Sequence, residues 1–142
     1  MKEKVLLVDD EKEFLEVMSE RMANRGMAVS TADSAFDALE QLGSGNFDAI
    51  VLDLMMPGMD GIEALKTIKQ KNPALQVILL TGHATVEKGI EAMKLGATDF
   101  VEKPADINAL AEKIKTAKAN KMVIVEQKME EKLKNIITSK GW

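Results

Sequence analysis

Three carboxylates and two further polar side chains stand where chemistry is most easily done, just past short apolar runs. Asp9 and Asp10 follow Val5-Leu6-Leu7-Val8, and Asp53 follows Ala49-Ile50-Val51-Leu52. Two carboxylates about 4 Å apart repel by roughly 4 kcal/mol at an effective dielectric near 20, so protonation or a cation must relieve a cluster of three. A hard divalent ion that takes oxygen ligands and keeps waters and a phosphate, Mg²⁺ above all, suits such a set. Thr81 follows Val77-Ile78-Leu79-Leu80, and Lys103 follows the run around Phe100-Val101. A hydroxyl and an ammonium are the donors a phosphoryl group calls for. Each residue also has a plainer reading. Asp10 can cap a helix with Glu13 closing a capping box, Thr81 can cap the next helix, and Lys103 can be a solvated charge.

The elements that would position these residues alternate regularly. Apolar spacing predicts helices from Glu11 to Arg25 (Phe14, Val17, Met18, Met22), through Ala35, Ala38, Leu39 and Leu42, through Ile62, Leu65 and Ile68, through Val86, Ile90 and Met93, and from Ile107 through Leu110 and Ile114. Gly26, Gly43 with Gly45, and Gly96 mark helix ends, and the third helix stops before Pro73. Strands are predicted at the four apolar runs already named, with Met27–Thr31 as the second strand and Phe100-Val101 as the fifth. Five strands alternating with five helices imply an α/β fold, and fully apolar strands imply a parallel sheet covered on both faces. Five strands favour the flavodoxin-like order 2-1-3-4-5. In that order the ends of the first and third strands flank the topological switch point, where sites form. Asp9, Asp10 and Asp53 should therefore converge there, with Thr81 and Lys103 beside them.

The stretches VLLVDDE (5–11), DLMMPGMDG (53–61), LLTGHA (79–84) and GATDFVEKP (96–104) resemble the receiver domains of bacterial two-component response regulators. The resemblance covers about residues 2–119 and is nearest to receivers that precede sigma-54-dependent activator domains. It implies that Asp53 accepts a phosphoryl group from a sensor histidine kinase. It further implies that Asp10, Asp53 and the backbone carbonyl of Met55 ligate Mg²⁺, with Asp9 holding the ion through water. Thr81 and Lys103 would contact the phosphoryl oxygens, and Phe100 would be an aromatic switch residue moving with Thr81. Such a protein is a switch with weak self-phosphorylation and autodephosphorylation rather than a conventional enzyme. Its output would be a contact with a downstream protein. The alternative is the receiver part of a transcription regulator whose output domain is absent from this chain.

Composition sets the outer limits. The 142 residues suit one domain, and the absence of cysteine excludes disulfides and thiol chemistry. A net charge of −4 gives no reason to expect nucleic-acid binding, and no apolar run is long enough for a signal peptide or membrane span, so a cytoplasmic protein is expected. Residues 1–104 carry a net −7 and residues 105–142 a net +3. The expected division is a receiver over 1–119 and a C-terminal helical extension over 120–142. Met122, Val125, Met129, Leu133 and Ile136 recur at steps of three and four, an apolar stripe that could pack on the receiver, extend the fifth helix, bind a partner or form a homodimer. The run Met122-Val123-Ile124-Val125 also admits a strand. His83, the only histidine, and Met55 are expected at the mouth of the site. Met55 cannot hydrogen-bond an attacking water, which favours slow phosphoryl loss. Most of the ten methionines read as core and helix-face residues, and Trp142 as an exposed end.

Overall fold

The computed structural model describes residues 2–56, 61–82 and 86–139. The chain runs β1 (Lys4–Val8), α1 (Lys12–Asn24), β2 (Ala28–Ala32), α2 (Ala35–Ser44), β3 (Ala49–Asp53), α3 (Gly61–Lys71), β4 (Gln76–Thr81), α4 (Val86–Lys94), β5 (Asp99–Glu102) and α5 (Ile107–Ser139). The five strands pair in parallel in the order β2-β1-β3-β4-β5. This is the flavodoxin-like arrangement expected from the strand pattern.

Strand alternation divides the core into two layers. Leu6, Val8, Ile50, Leu52, Val77 and Leu79 face α2, α3 and α4, meeting Ala38, Leu42, Leu65, Ile68 and Ala92. Val5, Leu7, Val51, Ile78 and Leu80 face α1 and α5, meeting Leu15, Met18, Met22, Leu110, Ile114 and Ala117. Every residue of β3 and β4 is buried, because these strands are covered on both faces and paired on both sides. The edge strands β2 and β5 are only partly buried.

Local signals end the helices where the sequence suggests. After α1, Gly26 takes φ +89°, and the Met27 amide donates to Met22 O, a left-handed close that glycine adopts without steric cost. Gly96, at φ +107°, does the same after α4. Ser34 caps α2 by accepting from the Asp37 amide at 3.1 Å. Gly43 lies within α2 rather than ending it, and Gly45 takes the capping position.

The helical stripes are correct in period but not always in what they face. In α1, Leu15 is buried while Val17 is exposed. In α4, Ile90 and Met93 are exposed, and the small residues Gly89 and Ala92 turn inward. The Met122–Val125 run is helical, not a strand: α5 continues without a break to Ser139. His83 and Trp142 lie outside the described residues.

Gly61 opens α3 under a tight constraint. A Cβ there would fall 2.9 Å from the Leu54 carbonyl oxygen and 2.9 Å from Leu54 Cδ2. Backbone cannot yield as a side-chain tip can. Gly61→Ala is therefore expected to destabilise the fold by about 1–3 kcal/mol, read by urea denaturation. An unchanged midpoint would show that the Leu54 segment gives way freely.

Candidate functional site

The site sits at the carboxyl ends of β1, β3 and β5, and the sheet hydrogen bonds continue far enough to fix its residues. Asp53 is the last residue of β3, in register with Leu80 of β4. Asp9 lies one residue past β1, its amide donating to Ala32 O at 3.2 Å. Lys103 lies one residue past β5, its amide donating to Thr81 O at 2.7 Å. The Lys103–Pro104 peptide is cis.

Side-chain direction follows strand parity. Asp9 continues the Val5, Leu7 series, Asp53 the Ala49, Val51 series, and Lys103 follows Val101. All three belong to the α1/α5 side of the sheet. They meet there: Lys103 Nζ lies 2.7 Å from Asp9 Oδ2, 3.3 Å from Asp53 Oδ2 and 3.7 Å from Glu11 Oε1. The ammonium also stands 4.8 Å from the centre of the Phe14 ring, a cation–π contact that fixes its stem. The plainer reading of Lys103 as a solvated charge thus gives way to a partly buried ion-pair centre.

Asp10 is exposed, and α1 takes Glu11 at its cap position with no side-chain cap bond, so Asp10 does not serve as the cap. Instead, Asp9, Asp10 and Asp53 each offer an oxygen, and the three oxygens lie within 4.8 Å of one another. Asp9 is fully enclosed. Its Oδ1 accepts from the Glu11 amide at 2.9 Å, and Oδ2 pairs with the Lys103 ammonium at 2.7 Å. Three carboxylates gathered round a single ammonium keep an excess of negative oxygen donors, a set that fits a hard cation.

Asp53 is almost wholly buried. Its Oδ1 accepts from the Met55 amide at 3.0 Å. Burial raises its pKa above the ordinary value; the Met55 bond and the Lys103 charge oppose the rise, and the Asp9 charge adds to it. For Lys103, burial alone would lower the pKa, but its pairing with Asp9 and Asp53 outweighs that and raises it. The ammonium is thus firmly charged, and Asp53 is a carboxylate at a cost. Met55, two residues on, is exposed.

Thr81 and Phe100 have the opposite parity. Thr81 is buried at the end of β4, too far ahead of Val86 to cap α4, and it points to the α4 side. With Gly89, Ile90, Met93, Phe100 and Glu102 it lines a cleft of about 100 Å³. Phe100 is half exposed, beside this cleft rather than inside the core. The sequence pattern did not reveal the cleft, since Ile90 and Met93 read as core residues of a short helix. The only available signal was the pair of small residues, Gly89 and Ala92, on the other side of that helix.

Residues 5–115 match the family described as the response regulator receiver domain. The transcriptional regulatory protein ZraR of Escherichia coli O157:H7 is 37% identical over 120 residues, covering 84% of this chain and 27% of that protein. The chain thus spans about a quarter of that relative's length. A response regulator receiver domain protein from Clostridium thermocellum superposes with a TM-score of 0.83 at 31% identity, covering 86% of this chain and 98% of its own. A structure described as adenylate cyclase from Rhodopirellula baltica superposes with a TM-score of 0.87 at 25% identity, covering 93% of this chain and 98% of its own.

Proposed function

This chain belongs to the response regulator receiver domain family, whose members are phosphoacceptor switches served by sensor histidine kinases, and from that premise we propose that Asp53 is its phosphoryl acceptor. The observation that carries the assignment is the buried Asp53 carboxylate, held through one oxygen by the Met55 amide and with Lys103 Nζ 3.3 Å from the other. A carboxylate fixed this way is a positioned nucleophile with a cation at hand to meet the incoming charge.

In the transfer, an Asp53 oxygen forms a bond to phosphorus as the bond from phosphorus to the donor breaks. The bonding pair leaves with the donor's imidazole nitrogen or acyl oxygen. Lys103 would exchange part of its contact with Asp9 and Asp53 for a phosphoryl oxygen, and the Thr81 hydroxyl would donate to another. Asp10, Asp53 and the Met55 carbonyl would hold Mg²⁺, with Asp9 acting through water. The bound ion would supply charge neutralisation at the phosphoryl oxygens. Movement of Thr81 toward the phosphoryl group would alter the cleft it shares with Ile90, Met93 and Phe100. That links the acidic site to a surface where Phe100 could act as the switch for a downstream protein. The exposed Met55 offers no hydrogen bond to an attacking water, which supports slow loss of the phosphoryl group.

A second reading rests on the larger relatives: this receiver would control an output domain of a transcription regulator. ZraR's length and the long α5 favour it, and a longer natural reading frame would decide it. Among the described residues, no helix is long and apolar enough to cross a membrane.

Both readings require the same transfer. Incubation with a small acyl phosphate and Mg²⁺ should add one phosphoryl group, seen by intact mass, and a chelator should prevent it. Labelling that proceeds equally in chelator would remove the divalent ion from the chemistry.

A further inference from the structure

The helix α5 is 33 residues long, and the receiver buries one side of its first part, mainly Leu110, Ala111, Ile114 and Ala117. At about 100° per residue, Leu110, Ile114, Ala117 and Lys121 fall on a single line. The first three are buried in the core. Lys121 is fastened to the loop before β3: its Nζ donates to Phe47 O at 2.6 Å and Asn46 Oδ1 at 3.2 Å, and lies 3.7 Å from Asp48 Oδ1. Lys128 continues the line, facing a cleft that also includes Lys71, Asn72 and Pro73.

The apolar stripe lies elsewhere. Met122, Val125, Met129 and Leu133 are centred about 100° round from that line. They are 52%, 40%, 66% and 59% exposed. Those exposures show that the receiver leaves this stretch of the stripe uncovered. Beyond Lys121 the helix runs on for about five turns with this stripe in water, so its cover comes from another chain.

The flanking charges identify that chain. Lys128 and Lys132 border the stripe on one side, and Glu126 and Glu130 border it on the other. When two copies lie parallel about a two-fold axis, the basic flank of each meets the acidic flank of its partner. Antiparallel copies would set lysines against lysines and glutamates against glutamates. The steps of three, four and four span eleven residues, a spacing that lets two helices pair almost straight with a slight right-handed winding.

We propose that this stripe pairs with the same stripe of a second copy of the chain, the two helices running parallel and both receivers at the same end. The full chain should be a dimer by sedimentation equilibrium at tens of micromolar. Met129→Glu with Leu133→Glu should weaken association by about 100-fold or more, since carboxylates would be buried in the seam. Labelling by acyl phosphate should persist in that variant, showing an intact receiver. Lys128→Glu with Lys132→Glu should weaken the dimer at low salt and do so less at high salt. An antiparallel pair would be indifferent to that change.

Because the chain has no cysteine, single thiols report the register. Met122→Cys and Leu133→Cys should each form a disulfide-linked dimer when treated separately with oxidised glutathione. A full chain that stays monomeric overturns the proposal and gives the stripe to a different protein. A dimer that survives Met129→Glu with Leu133→Glu overturns it as well. So does failure of both single-cysteine variants to cross-link.

Discussion

Asp53→Asn is expected to take up no phosphoryl group from an acyl phosphate or a kinase, and to be more stable than the wild type when Mg²⁺ is chelated. Both effects come from one side chain. The amide keeps the shape of the carboxylate but has no nucleophilic oxygen anion, so labelling should be lost entirely. Stability should change because ionised Asp53 is buried and near Asp9, which raises its pKa in the folded state. Above the ordinary carboxylate value, the unfolded chain has released this proton while the folded protein still holds it. The wild type therefore loses stability as pH rises through that interval. The variant carries no such cost. Its thermal midpoint in chelator should exceed that of the wild type by a few degrees at neutral pH, and the gap should close toward pH 4. A variant that labels fully would move the acceptor to another residue. A gap that widens on acidification would mean that the buried carboxylate is not what limits stability.

The second large effect is expected from the cation. Three carboxylate oxygens lie within 4.8 Å of one another, and the single Lys103 charge offsets only part of their repulsion. A ligand that binds only the folded state stabilises it by RT ln(1 + [L]/Kd), about 2.7 kcal/mol at a concentration of 100 Kd. Millimolar Mg²⁺ should therefore raise the thermal midpoint of the wild type by several degrees. Asp10→Ala should remove most of that shift, with little change in the metal-free protein, because Asp10 is exposed and does not cap α1. Calorimetry with and without Mg²⁺ makes the comparison. Equal shifts in both proteins would place the ion away from Asp10.

The convergence of Asp9, Asp53 and Lys103 was legible in the sequence because parallel strands with fully apolar interiors have few ways to be ordered. Once ordered, their carboxyl ends must lie side by side. Asp10 was ambiguous, since an acid after a strand serves equally well as a cap or a ligand; only the observed cap at Glu11 separates the two. The outward turn of Ile90 and Met93 was not legible. Periodicity reveals which residues share a face, not what that face meets, and α4 packs through Gly89 and Ala92, whose small size carries little hydrophobic signal. The separation of Thr81 and Phe100 from the other site residues follows from strand parity, which needs strand ends known to a single residue. Sequence patterns rarely give that precision. For α5, spacing found the stripe, but only the exposure of Met122, Val125, Met129 and Leu133 showed that the receiver does not cover it.

The strand β3 carries the proposed acceptor at one end, and the loop that grips Lys121 immediately precedes its other end. Asp48 and Asp53 are about 17 Å apart along an extended chain. Every residue of β3 is buried, and it has hydrogen-bonded neighbours on both sides. The site and the root of the long helix are then at opposite ends of a stiff strut. The proposed acceptor and the loop that holds Lys121 thus share one fully buried, doubly paired strand.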